Sequence, residues 1–224
     1  GESARPGAAA ISIDEELSRV IPVITALAGD GLVVSVDTRN SAVMDQAIRA
    51  GAKIINDVTA LEGDGSLNVA ATAGASVILM HMQGEPGSMQ DNPVYADAPR
   101  EILSYLATRI RACEDAGISL DRIAVDPGIG FGKNLGHNLQ ILNRLDEFTE
   151  LGCPLVLGVS RKSFIGRLSG GGATENARGR LGGSLAAALA GVSRGAAILR
   201  VHDVAETRQA VDVWVAIERG SQAL

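Results

Sequence analysis

Six short apolar runs, each closing on a polar residue and each followed by a helical pattern, constrain this chain more than any single motif. The runs read as strands at Leu32–Val36, Lys53–Ile55, Ser76–Leu79, Ile123–Val125, Leu155–Val159 and Ala197–Val201. Between and around them, helices are expected at Ile13–Ala28, Ser41–Ala50, Ser66–Ala73, Pro99–Ala116, Leu139–Leu151, Glu175–Ser193 and Val204–Arg219. Ser12 is the expected N-cap of the first, and Pro22 should kink it or interrupt one of its hydrogen bonds. Strands that alternate with helices form a parallel sheet, either closed into a barrel or open and doubly wound. An open sheet concentrates polar strand ends at one crevice, whereas a barrel gathers all of them at one mouth. Here nearly every strand ends in a polar residue, so the expected fold is an α/β (β/α)8 TIM barrel. Only about six parallel strands can be read, so the barrel is expected to be incomplete at the N-terminus, with residues 1–224 forming one domain.

Composition narrows the partners. Aromatic residues make up 3% of the chain, so the core is expected to be small and aliphatic. A net charge of −6 disfavours non-specific binding of nucleic acid. The longest uncharged run, Leu67–Gly84, carries Asn68, His81 and Gln83, which argues against a membrane span. Cys113 and Cys153 stand alone, as reduced packing residues of a cytoplasmic protein would.

The stretch Arg122–Asn134 delivers Asp126 from an apolar strand into a loop with Gly128, Gly130 and Gly132. A dinucleotide fingerprint needs a further glycine where Lys133 stands, and a phosphate-binding Walker loop needs Gly and Ser or Thr where Pro127 and Asn134 stand. The glycines therefore read as a tight turn. Asp126 still needs a donor, because a carboxylate at the end of a buried strand is costly without one. Asp37 and Asn56 close two other strands. Two carboxylates and an amide at one barrel mouth suit a flat heterocycle with an amidine-like edge.

Opposite charge follows the last two strands, as Arg161, Lys162, Arg200 and His202. Lys162 directly follows a strand end, Arg161 either faces solvent or pairs with an acid, and Arg200 and His202 are spaced to share one side of a strand and one anion. Met80 and Met82 are read as core or pocket wall, His81 between them is given no catalytic role, and His137 is read as a surface residue in a loop or first helical turn. No multi-His metal site is evident in the sequence.

These residues fall in motifs that together resemble the dihydropteroate synthase family of the folate pathway. The motifs are Gly-Glu-Ser-Ala-Arg-Pro-Gly at 1–7, Ser-Val-Asp-Thr at 35–38, Ile-Asn-Asp-Val at 55–58 and Leu-Met-His-Met-Gln-Gly at 79–84. Asp-Pro-Gly-Ile-Gly-Phe-Gly-Lys at 126–133, Ser-Arg-Lys-Ser at 160–163 and Arg-Val-His-Asp at 200–203 complete the set. The resemblance implies a transferase that joins 6-hydroxymethyl-7,8-dihydropterin diphosphate to p-aminobenzoate and releases diphosphate. It implies that Asp37, Asn56 and Asp126 hold the pterin, that Lys162 bonds its ring, and that Met80, Phe131 and Gly158 shape the pocket. It further implies that Arg200 and His202 bind diphosphate, that Arg5, Pro6 and Ser163 lie near p-aminobenzoate, and that Lys162, Arg200 and His202 carry the catalysis. Mg²⁺ is implied as the cofactor, with its ligand in a family segment upstream of Gly1, and a homodimer through the last helices is expected.

Two departures from the family pattern bear on activity. The family's first strand and its Asn-containing loop are not in this sequence, and Ala4 stands where the family commonly has Thr. The 224-residue chain alone is therefore expected to be a poor catalyst. Two other functions fit parts of the pattern: a pterin-dependent methyltransferase, against which Arg200 and His202 argue, and a module that binds pterin without turning it over.

Overall fold

The computed structural model describes residues 1–5, 7–170 and 176–220. Its strands are β1 Ser35–Asp37, β2 Ile54–Asp57, β3 Ser76–Met80, β4 Ile123–Asp126, β5 Leu155–Leu157 and β6 Ala196–Leu199. Its α-helices are α1 Ile13–Gly29, α2 Ser41–Arg49, α3 Ser66–Ala73, α4 Ala98–Asp115, α5 Leu135–Asn143, α6 Ser163–Leu168, α7 Leu181–Val192 and α8 Val204–Arg219. All strand pairs are parallel, and the order is β1-β2-β3-β4-β5-β6. A doubly wound sheet reverses its order at a switch point, and this one does not. Sequential order is that of a barrel wall, here an arc whose edge strands β1 and β6 are not paired with each other among the described residues.

Local chemistry sets the helix ends. Ser12 Oγ accepts from the Glu15 N–H (3.2 Å), and Asp14, Glu15 and Glu16 occupy the first turn, where the helix dipole favours negative charge. Helix α1 continues through Pro22. Asp97 caps α4 through the Arg100 N–H, with a proline in the first turn. Helix α5 starts earlier than expected because Asn134 and His137 form a reciprocal capping box, and it ends at Asn143 rather than running to Leu151. Residues Leu145–Leu151 form a 3-10 helix instead. His137 does lie in a first helical turn, as expected, and there it is a half-buried capping residue against Tyr95.

Strand boundaries also differ from expectation, with β6 ending at Leu199 rather than Val201. Leu32 and Val33 are exposed and precede the sheet; the Leu32 N–H closes the end of α1 on the Leu27 carbonyl, and pairing begins only where the Lys53 and Ile54 N–H groups reach Val34. At the other end, β5 stops at Leu157 rather than Val159, and the following segment turns into the short helix α6, for which no helix was expected. Part of the glycine-rich stretch after it, at 171–175, lies outside the described residues. The pattern expected at Glu175–Ser193, whose first residue lies outside the described residues, resolves into a 3-10 turn, Ala177–Arg180, and α7.

One core joins the outer face of the sheet to the helices: Val36, Ile55, Val77, Leu79, Val125 and Leu157 pack with Met44, Ile102, Leu106 and Phe148. Each fully buried side chain of this kind contributes about 1.5–3 kcal/mol. The alternating partners of these strand residues face the other way. Among the described residues, no helix is long and apolar enough to cross a membrane.

Candidate functional site

Register places the polar strand ends. Asp37 pairs with Asn56, Asn56 with Ile78, and Met80 with Asp126. Because side chains alternate along a strand, Asp37 and Asn56 stand side by side at the inner face and Asp126 stands beside Met80 one step further along it. Met80 and Asp126 are fully buried and Asn56 nearly so. The next residue after Asn56 plays a different part. Asp57 accepts from Thr59 N–H, Thr59 Oγ1 and Leu61 N–H, all within 2.9 Å, and so holds the turn that follows the strand.

Asp126 is fixed by two donors. Its Oδ1 accepts from the Gly128 N–H (2.7 Å), and its Oδ2 from Arg200 Nη2 (2.9 Å). Arg200 Nη1 donates to Asn56 Oδ1 (3.0 Å), so one guanidinium spans the amide and the carboxylate. Gly158 makes that approach possible: a Cβ there would lie 2.9 Å from Arg200 Nη2. Asn56 Nδ2 is buried and has no hydrogen-bond partner of ordinary geometry among the described residues, although the side chain lies near enough to Asp37 to pull its carboxyl down. Asp37 keeps surface open to the mouth while protein crowds its other sides. Desolvation there pushes its carboxyl above the usual range, opposed by Arg200 and reinforced by Asp57.

Lys162 completes this side of the mouth. Its Nζ donates to the Ile129 carbonyl and sits 4.8 Å from the centroid of the Phe131 ring. Burial lowers its pKa to about 8, with Asp126 opposing and Arg200 adding to the shift. The cation beside Asp126 is thus poised to donate to a ligand below that pH.

The remaining expected residues divide. Arg200 follows the strand rather than standing in it, so the two-residue period no longer ties it to His202. Arg200 reaches inward to Asn56 and Asp126, while His202 binds Ser160 Oγ through both its backbone N–H (3.2 Å) and its ring Nδ1 (3.0 Å). Arg161, in a left-handed conformation (φ 58°), pairs with Asp203 and draws that carboxyl below its usual range. Ser163 is exposed at the start of α6. Arg5 is exposed in an N-terminal segment tied down by Gly7 N–H to Pro86 carbonyl (3.1 Å) and by Arg39, which pairs with both Glu2 and Glu85 at 2.8 Å. Pro6 lies outside the described residues.

The sequence reading passed over Lys133 and Ser160. Lys133 is 2% exposed, and Nζ lies within 3.2 Å of His81 Nδ1, His81 O and Phe131 O. The only sequence signal was a lysine directly after a glycine loop. As for a metal, among the described residues no group of three or more His, Cys, Asp or Glu side chains is placed to hold one. At Asp126 one carboxylate oxygen accepts from the Gly128 N–H and the other from Arg200, so its nearest partners are donors rather than further metal-ligating oxygens.

A parallel barrel wall with buried acceptors, an orphaned amide donor and nearby cations defines an α/β-barrel enzyme for a ligand with a hydrogen-bonding edge and an anionic group. Residues 1–202 match the family model described as pterin binding enzyme. The dihydropteroate synthase of Escherichia coli K12 is 49% identical over 214 residues, 95% of this chain and 74% of that protein. Two solved structures of the Xanthomonas albilineans dihydropteroate synthase are similar throughout. The structure with 4-aminobenzoic acid has a TM-score of 0.92 at 47% identity, covering 98% of this chain and 78% of that one. The complex with 7,8-dihydropteroate has a TM-score of 0.87 at 44% identity, covering 96% and 78%. The chain belongs to the pterin-binding enzyme family, among the dihydropteroate synthases.

Proposed function

We propose that this protein condenses 6-hydroxymethyl-7,8-dihydropterin diphosphate with p-aminobenzoate, forming 7,8-dihydropteroate and diphosphate. The observation that carries this reading within the chain is Asn56. Its Oδ1 is engaged by Arg200 while its buried Nδ2 has no hydrogen-bond partner of ordinary geometry among the described residues, beside Asp37 in the neighbouring strand. The edge of a pterin offers an acceptor for that amide and donors for the two carboxylates, and a buried polar group left unpaired costs about 1–3 kcal/mol.

In this reading Asp126, Asn56 and Asp37 grip the pterin edge, Lys162 donates to the ring, and Phe131 and Met80 wall the pocket. Two of the five N–H donors of Arg200 are used on Asn56 and Asp126, which leaves others for the diphosphate. His202 supplies a ring nitrogen on the same side. The C–O bond between the exocyclic methylene and the diphosphate breaks, the departing oxygens gain charge that these cations stabilise, and the amine nitrogen of p-aminobenzoate attacks the methylene. The new C–N bond forms, the amine proton goes to water, and no strong protein base is required. Arg5 and Ser163 are assigned to the p-aminobenzoate side. The same reading carries a cytoplasmic location and a homodimer, for which the exposed Val213 and Ile217 of α8 offer apolar surface.

A turnover assay that follows diphosphate release is the direct test. Release is expected to require both the pterin diphosphate and p-aminobenzoate. Release that is independent of the amine, or methyl transfer from a methylated folate, would overturn the assignment.

A further inference from the structure

Lys133 has no part in the chemistry above, yet it is among the most enclosed cations in the chain. Its Nζ is 2.9 Å from the Phe131 carbonyl, 3.2 Å from the His81 carbonyl and 3.0 Å from His81 Nδ1. These contacts tie two segments together. His81 follows the end of β3, where its N–H donates to the Asp126 carbonyl (3.1 Å), and Phe131 lies in the loop that leaves β4. The two segments are in contact at Gly128, where a Cβ would sit 2.0 Å from the His81 carbonyl.

The same loop holds Lys162. Ile129 offers its carbonyl to Lys162 Nζ, Gly130 lies against the lysine stem, and the Phe131 ring lies below the ammonium. Gln90, Asn138 and Tyr95 hold Gly130 and Gly132 in the same loop, and Lys133 holds the Phe131 carbonyl. We propose that Lys133 is a positioning residue: by clasping the Phe131 carbonyl to His81, it fixes the 128–132 loop in the form that encloses and aims Lys162.

The partners of Lys133 suit this role in either protonation state. Burial, with Lys162 adding repulsion and Asp126 opposing, pushes the Lys133 ammonium well below its usual range. The His81 imidazole is held neutral, with its pKa lowered to about 3 by burial and then by Lys133. An ammonium can donate to two carbonyls and to the ring nitrogen, and an amine can donate to the carbonyls while accepting from an Nδ1–H. Phe131 is thus anchored without depending on ambient pH.

The proposal rests on the pterin reading of the site, and its test separates the two. Binding of the pterin diphosphate and of p-aminobenzoate is measured by calorimetry from pH 6 to 10 for the native chain and for Lys133→Met, with a thermal melt for each. The native protein is expected to bind the pterin diphosphate with an affinity that falls as Lys162 loses its proton near pH 8; absence of pterin binding in the native chain would defeat the functional reading itself. In Lys133→Met the loop loosens, water reaches Lys162, and the alkaline limb is expected to move up by about one pH unit toward the ordinary lysine value. Pterin affinity should fall about tenfold, while p-aminobenzoate affinity stays level. If Lys133→Met does not fold, His81→Ala, which removes one of the three contacts, should move the limb the same way by a smaller amount. A folded variant with lower stability but an unmoved limb would show that Lys133 is structural only and would overturn the proposal.

Discussion

The guanidinium of Arg200 lies 2.9 Å from Oδ2 of Asp126, a carboxylate with no exposed surface, although the two residues are 74 positions apart. The cation assigned to the leaving group therefore touches the acceptor assigned to the pterin. In the proposed reading, recognition of the ring and stabilisation of the departing charge meet at one contact.

Asp126→Asn keeps an acceptor for the Gly128 N–H but removes the charge that faces Arg200 and the pterin edge. Pterin diphosphate affinity is expected to fall by about 10- to 100-fold, the range for a charge-assisted hydrogen bond. p-Aminobenzoate affinity should change far less. Calorimetry with each ligand decides it, and equal losses would place Asp126 outside the pterin pocket.

Gly158→Ala would set a Cβ 2.9 Å from Arg200 Nη2, 3.3 Å from Nε and 3.4 Å from Cζ. The guanidinium is the mobile end of a long side chain and should give way, leaving Asn56 and Asp126 without their shared donor. Stability should change by less than about 1 kcal/mol, while turnover drops about tenfold. A melt and a rate assay on the same preparation separate the two effects.

A pH dependence follows from Lys162. Its folded pKa is about 8, below the 10.5 of a free lysine, so the ammonium proposed to bond the ligand is lost as pH rises through 8. Pterin binding should therefore weaken on the alkaline side, and Lys162→Met should flatten that limb. Stability runs the other way. Between pH 8 and 10.5 the unfolded chain holds more protons on this group than the folded one, so this residue makes the fold more stable as pH rises across that window. Denaturant titrations at pH 7.5 and 10 on the native chain and Lys162→Met isolate this contribution.

Gly128→Ala tests the loop. Gly128 has φ +71°, and a Cβ would meet the His81 backbone carbonyl at 2.0 Å. Strain and displacement together should cost about 2–4 kcal/mol of stability. Chemical denaturation measures it, and an unchanged midpoint would mean that the loop has room that the geometry denies.

Much of this site could be read from residue order because each barrel strand end is a fixed address. Asp37, Asn56 and Asp126 are each the first polar residue after an apolar run, whereas Lys162, expected directly at a strand end, stands five residues past β5 as the residue before α6. The misses have a common cause. Asn134 capped a helix four residues before its apolar pattern suggested, since capping is decided by one side chain reaching back and not by periodicity. Helix α6 is six residues long, too short to show a period. The spacing of Arg200 and His202 implied a shared direction, but the strand had already ended. Lys133 and Ser160 act through partners distant in sequence, His81 and His202, and no local pattern announces such pairs.

The sequential strand order has a further consequence. Each strand is hydrogen-bonded only to its chain neighbours, so the wall is assembled as a ribbon from successive strand–helix modules, and each module presents its own chemistry at its upper tip. One tip offers Asp37, the next Asn56, another Asp126, and later ones Lys162 and Arg200. A change in the length or composition of one tip leaves the sheet pairing intact but not the contacts across the mouth. Arg200 joins the tips of Asn56 and Asp126, Lys162 reaches the loop after β4, and Lys133 stitches that loop to His81.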